Sequence, residues 1–112
     1  PMSALTCATL DVLCTDPDCR PVVREMMVEA QTIAETLGIR FPINVDRRIE
    51  AGAEVGHHRT SMLQDLDRGR PMEIDALVSS VQELGCLTGV ATPTIDVVLA
   101  LTKLRARIAE LY

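Results

Sequence analysis

Between residues 20 and 37 the apolar side chains Val22, Val23, Met26, Met27, Ala30, Ile33, Ala34 and Leu37 recur at steps of three, four and seven. That period puts them on one stripe of an α-helix, whereas a half-buried strand would alternate apolar and polar residues. Gly38 stands where a left-handed C-cap is wanted. No other segment sustains an alternation either. Phe41 and Tyr112 are the only aromatic residues, so the core is left to Leu, Val, Ile, Met and Ala, a palette that favours helices over a sandwich. The expectation is an all-α fold of five to six helices. With 112 residues, a single core is the ceiling, and burial of roughly two-thirds of the unfolded surface suffices to fold without staples.

The remaining helices follow from punctuation. Leu5, Ala8, Leu10, Val12 and Leu13 predict an opening helix over 3–14, ended by Thr15-Asp16-Pro17-Asp18, with Thr15 or Asp16 as the next cap and Pro17 in a first-turn position. Asn44 caps a further helix that is broken or weakened around Gly52 and Gly56, so 44–67 reads as two helices in series rather than one. Asp67-Arg68-Gly69-Arg70-Pro71 is a polar loop. A helix restarts near Pro71 or Met72, carries Ile74, Leu77, Val78, Val81 and Leu84 on one face, and closes at Gly85 or Gly89. Thr92-Pro93 opens the last helix, which is apolar almost all round. That breadth calls for burial from more than one side.

Composition excludes several classes. Eleven Lys and Arg face sixteen Asp and Glu, a formal charge of -5 with no basic block, which argues against nucleic acid and acidic membranes as partners. No apolar run approaches the roughly 20 residues of a membrane span. Cys7, Cys14, Cys19 and Cys86 form no CxxC pair and follow no secretory segment, which predicts reduced thiols and a cytoplasmic location. Cys14 and Cys19 are close enough in sequence for a disulfide but match no zinc spacing. His57 and His58 are adjacent and point about 100° apart on a helix, so they do not make an i, i+4 metal pair. No metal site is expected.

The stretch Ser61-Met62-Leu63-Gln64-Asp65, Gly69-Arg70-Pro71, Glu73-Ile74-Asp75 differs in kind. It ends one helix, turns through Gly69 and begins another, which can bring Ser61 and Glu73 toward one corner. Glu73, placed in a first turn, would sit at free N–H groups and the positive end of the helix dipole, where an ionised carboxylate is favoured. A carboxylate held there can accept from a ligand hydroxyl or hold a catalytic ammonium, although an acidic residue at such a place is ordinarily only a cap.

These residues, with Gly89-Val90-Ala91-Thr92-Pro93 further on, resemble in order and spacing the C-terminal helical domain of the ketopantoate reductases (2-dehydropantoate 2-reductases), a fold similar to the helical domain of the 6-phosphogluconate dehydrogenase-like superfamily. Pro1-Met2-Ser3-Ala4-Leu5-Thr6 looks like the family's segment just after its catalytic lysine, and Glu29 falls where a family glutamate often stands. The resemblance implies that 1–112 is a substrate and dimerisation domain whose partner is an N-terminal Rossmann domain of the same polypeptide. That domain would bind NADPH, and this one would bind no cofactor itself. A 2-oxo acid, ketopantoate, would lie in the cleft between the two and be reduced to pantoate for pantothenate and coenzyme A synthesis. By resemblance, Glu73 would bond the substrate hydroxyl or the lysine, as both a catalytic and a substrate-binding residue, and Ser61 would bind the substrate carboxylate. A homodimer is among the implied assemblies.

Departures from the pattern are specific. No glycine-rich phosphate loop follows a strand. Lys103, the only lysine, matches no catalytic position, so this chain alone is expected to be inactive. Val78-Ser79 stands where the family commonly has Asn-Gly. Two alternatives therefore stay open: a paralogue acting on another 2-oxo acid, and a helical interaction module with no chemistry.

Overall fold

The computed structural model describes all of residues 1–112 and contains helices and turns without a strand. In chain order the helices are α1 (Met2–Thr6), α2 (Leu10–Thr15), α3 (Cys19–Thr36), α4 (Val45–Glu54), α5 (Ser61–Asp67), a π-helical turn at Asp75–Ser79 that runs into α6 (Ser80–Thr88), and α7 (Pro93–Ile108). The all-α expectation holds, with one helix more than the upper count.

The extra helix comes from the opening segment, which is two helices instead of one. Cys7 adopts the left-handed conformation (φ 61°) and ends α1. The Thr6 hydroxyl accepts from the Ala8 amide at 3.2 Å, and the Leu10 amide leaves the helical ladder to reach the His58 carbonyl at 2.8 Å. Local hydroxyl bonds compete with the helix in this way wherever Ser or Thr can reach the backbone. Pro17 lies in the turn ahead of α3 rather than inside its first turn. Asp16 does cap, its Oδ1 accepting from the amides of Asp18 (3.0 Å) and Cys19 (2.8 Å).

Other punctuation falls as read. Asn44 accepts from the Arg47 amide at 2.8 Å, and Gly38 takes φ 85° behind α3. Of the two glycines suspected of breaking 44–67, Gly56 does so, with φ 83°. Gly52 stays helical because α2 crosses there: a Cβ on Gly52 would stand 2.8 Å from the Cys14 Sγ.

Long α3 serves two cores. Its Met26 joins Ala4, Met62, Met72, Ile74, Val78, Ile95, Leu99 and Ala106, drawn from α1, α5, the residues just before the π-helical turn, that turn itself and α7. On its other side Val23, Met27 and Val28 pack against Cys14 of α2 and Val45 and Ile49 of α4. Glu29, also on α3, is buried (8% exposed) and supplies what α7 lacks. Thr92 at the head of α7 spends its hydroxyl on Asp96 (2.8 Å). The Glu29 carboxylate instead accepts from the amides of Thr94 at 2.7 Å and Ile95 at 3.3 Å. A carboxylate at a helix N-terminus meets both orphan donors and the positive dipole end. No helix is long and apolar enough to cross a membrane.

Candidate substrate-side site

The Ser61–Asp75 stretch forms a corner built by its own side chains. Thr60 caps α5, its Oγ1 accepting from the Leu63 amide at 3.5 Å, and its hydroxyl pairs with that of Ser3 in α1. Met62 and Leu63 point into the core. Gln64 turns back, its Nε2 donating to the Arg59 carbonyl at 2.7 Å. Asp65 looks forward: its carbonyl accepts from the Arg70 amide at 2.8 Å, and its carboxylate lies 3.5 Å from the Arg70 Nε. Arg59 also pairs with Asp67. Gln64 and Asp65 thus tie down the segments before and after α5, which is a structural reason for that pair of residues.

Ser61 is the first residue of α5 and is exposed. No side chain or backbone group of the chain occupies its hydroxyl. Of the α5 amides, Leu63 is taken by Thr60 and Gln64 by the Thr60 carbonyl, so the Ser61 hydroxyl is the free side-chain donor at this end of the helix.

Glu73 is one residue earlier than the first-turn position expected. Gly69 closes the turn after α5 with φ 64°, residues 70–73 belong to no helix, Met72 anchors in the core at 6% exposure, and the helix begins only where the Glu73 carbonyl accepts from the Leu77 amide at 3.2 Å. Pro71 is therefore outside the helix, and buried Met72 sets its start. The Glu73 side chain is exposed and makes no hydrogen bond or ion pair within the chain. It walls a shallow hollow with Asp75, Ala76, Leu111 and Tyr112. Ser61 does not line that hollow, and no hydrogen bond joins the two residues, so within these residues each stands at its own place on the corner.

Next to Glu73, Asp75 is densely engaged. Its Oδ1 accepts from the Ser79 hydroxyl at 2.6 Å and the Tyr112 hydroxyl at 2.9 Å, and lies 3.8 Å from the Lys103 Nζ. The Ser79 and Tyr112 hydroxyls, with Lys103 behind them, hold its carboxyl below the usual carboxylate range. Sequence reasoning singled out neither Asp75 nor Tyr112. Asp75 sat inside a quoted motif, but its partners lie four and 37 residues away, beyond the reach of local pattern.

Val78 and Ser79 also have clear roles here. Val78 is buried in the core at 4% exposure, and Ser79 donates to Asp75. The valine is thus a packing residue.

Two apolar hollows flank Pro1. One is lined by Leu10, Leu13, Val23 and Thr60, the other by Leu77, Val78 and Val81, and both share Met26 and Met27. His57 is exposed and lies 3.0 Å from an Asp11 carboxylate oxygen, while the His58 carbonyl binds Leu10. No three His, Cys, Asp or Glu side chains stand together as a metal cage. The four cysteines are free. Burial pushes the Cys14 thiol up.

Comparison with known proteins shows the family of the chain. The family model described as "Ketopantoate reductase PanE/ApbA C terminal" matches residues 1–106. A 2-dehydropantoate 2-reductase of Mesorhizobium japonicum is 63% identical over 103 residues, covering 92% of this chain and 32% of that protein. Among solved structures, one from Ralstonia solanacearum assigned to the ketopantoate reductases superposes with a TM-score of 0.92 at 39% identity, covering 100% of this chain and 34% of the other. The 2-dehydropantoate 2-reductase of Methylococcus capsulatus gives 0.85 at 30% identity, with 97% and 38% covered. The chain thus spans about a third of the length of these relatives. By the family model and by these likenesses, it belongs to the ketopantoate reductase C-terminal domain family.

Proposed function

We propose that the chain is the substrate-side half of an NADPH-dependent reductase that converts 2-dehydropantoate to pantoate. The observation that carries this reading is the 63% identity to the Mesorhizobium japonicum 2-dehydropantoate 2-reductase. An N-terminal Rossmann domain of the same polypeptide completes the enzyme, and a homodimer is the proposed assembly. This chain has neither a strand nor a glycine-rich loop to hold a dinucleotide. It does not fit the cofactor by itself and is inactive alone. NADPH, held by the N-terminal domain, supplies a hydride. Free thiols suit a reducing compartment, and the cytoplasm is the proposed location.

The residues here bind and orient. Glu73, exposed and free of internal partners, offers two carboxylate oxygens to the substrate hydroxyl or to a lysine ammonium. A carboxylate that accepts both would hold acid and substrate in register without itself transferring a proton. The Ser61 hydroxyl, exposed and without a partner in the chain, would donate to the substrate carboxylate. Val78 is a core residue, so this position packs where the family commonly presents an amide, and 2-dehydropantoate is the proposed substrate on the strength of the 63% identity.

Testing this calls for the full-length protein with NADPH and a panel of 2-oxo acids. The reading predicts the highest kcat/KM for 2-dehydropantoate and a raised KM for it in Ser61→Ala. Preference for another 2-oxo acid by an active enzyme would replace the substrate assignment. A full-length protein inert toward every 2-oxo acid would favour a non-enzymatic module.

A further inference from the structure

Past α7 the chain reverses. Glu110 takes a left-handed φ of 59°, and the Leu111 amide returns to the Ala106 carbonyl at 2.8 Å. That reversal lays Tyr112 beside the π-helical turn. Its hydroxyl donates to the Asp75 Oδ1 at 2.9 Å, and its ring lies 5.8 Å from the Lys103 ammonium and 5.4 Å from the Arg107 guanidinium. Asp75 in turn is two residues beyond Glu73, and the segment following α7 walls the same hollow as Glu73. Tyr112 lies beyond residues 1–106, to which the family model is matched.

A π-helical turn is rare, usually confined to a single turn, and is often found at functional sites. Here it has side-chain support at its first residue: Asp75 is held by Ser79 within the turn and by Tyr112 and Lys103 from outside it. Asp75 is 66% exposed in its side chain, and ion pairs at such sites contribute little to stability. The cluster therefore adds little to the stability of the fold, which buried Ile74 and Val78 anchor at this turn.

We infer that Tyr112, through its hydrogen bond to Asp75, is a positioning residue that latches the π-helical turn to the segment following α7 and so sets where Glu73 presents its carboxylate. This rests on the reading of Glu73 as an orienting carboxylate. Misplacing such a group by about 1 Å can cost turnover up to about 10²-fold.

The experiment uses the full-length protein and Tyr112→Phe, which keeps the ring over Lys103 and Arg107 and removes only the hydroxyl. Steady-state kinetics with 2-dehydropantoate and NADPH should show kcat reduced roughly 10-fold, with the KM for NADPH unchanged. In a Glu73→Ala background the same substitution should add no further loss, because the latch acts through Glu73. Asp75→Asn, which keeps an acceptor for Tyr112, should be milder than Asp75→Ala. Amide exchange across residues 75–79 should quicken in Tyr112→Phe while α4 is unaffected. An unchanged kcat in Tyr112→Phe alongside an impaired Glu73→Ala would overturn the latch and leave the Glu73 reading standing. An equal loss in both backgrounds, or unchanged exchange at 75–79, would reduce Tyr112 to a packing residue. A fully active Glu73→Ala would instead sink the Glu73 reading, and the latch with it.

Discussion

Replacing Glu29 by Ala removes the acceptor that holds the head of α7. Its carboxylate takes the Thr94 amide at 2.7 Å and shares the Ile95 amide between two oxygens at 3.3 Å. One good charge-assisted bond and one weak bifurcated bond, at about 1.5–3 kcal/mol for a full-strength example, suggest a loss of about 3 kcal/mol. The favourable helix-dipole contact, roughly 0.3–1 kcal/mol, lies within that figure. Because Ile95 is buried at 3% exposure, its freed amide is poorly placed to recover a water. Against a total stability of roughly 5–15 kcal/mol the change is large. It should lower Tm by roughly 10–20 °C for a domain of this size. Glu29→Gln keeps an acceptor for the Thr94 amide and should lose only about 1 kcal/mol. Urea unfolding followed by circular dichroism, on wild type and both variants, reads the two numbers. A Glu29→Ala loss below about 1 kcal/mol, the scale of one ordinary hydrogen bond, would refute the reasoning. So would a Gln variant as damaged as the Ala variant.

Gly52→Ala should destabilise by about 1–2 kcal/mol despite alanine's better helix propensity, since the new Cβ meets the Cys14 Sγ and overpacking outweighs the propensity gain; adding Cys14→Ala should relieve the clash, and the same urea titrations check both. Acid should destabilise the chain through Asp16, Asp46 and Asp75. Their carboxyls are held below 3.8 by, respectively, the Cys19 and Asp18 amides, Arg24, and the Ser79 and Tyr112 hydroxyls. Folded values lower than unfolded ones mean that this stabilisation is fully present above that unfolded value and is lost as pH falls through the depressed folded values. Replacing the three by Asn should flatten the acid arm of a stability–pH curve below about pH 4; an unchanged arm would count against it.

How much of this was legible in the sequence differs by element. The stripe on α3, the Asn44 cap and the Gly38 terminus were readable because each depends on residues within a turn or two. The break at Cys7 was not: it needs the His58 carbonyl, 48 positions away, to take the Leu10 amide. Nor was the start of the helix after Glu73, which buried Met72 decides. At the corner, motif and spacing named Ser61 and Glu73 and left out what surrounds them. Gln64 and Asp65 show their role only when the segments they tie are in place, and Asp75 only when the residues after α7 have folded back.

In the proposed function Glu73 orients the substrate or the acid that protonates it. The direct measurement is kcat/KM for 2-dehydropantoate, with saturating NADPH, in the full-length protein and its Glu73→Ala variant. Loss of an orienting contact predicts a fall of about 10²-fold or more, with the thermal midpoint unchanged because the side chain is exposed and has no partner within the chain. A variant as active as wild type would contradict the account and leave Glu73 as the residue that merely precedes a helix.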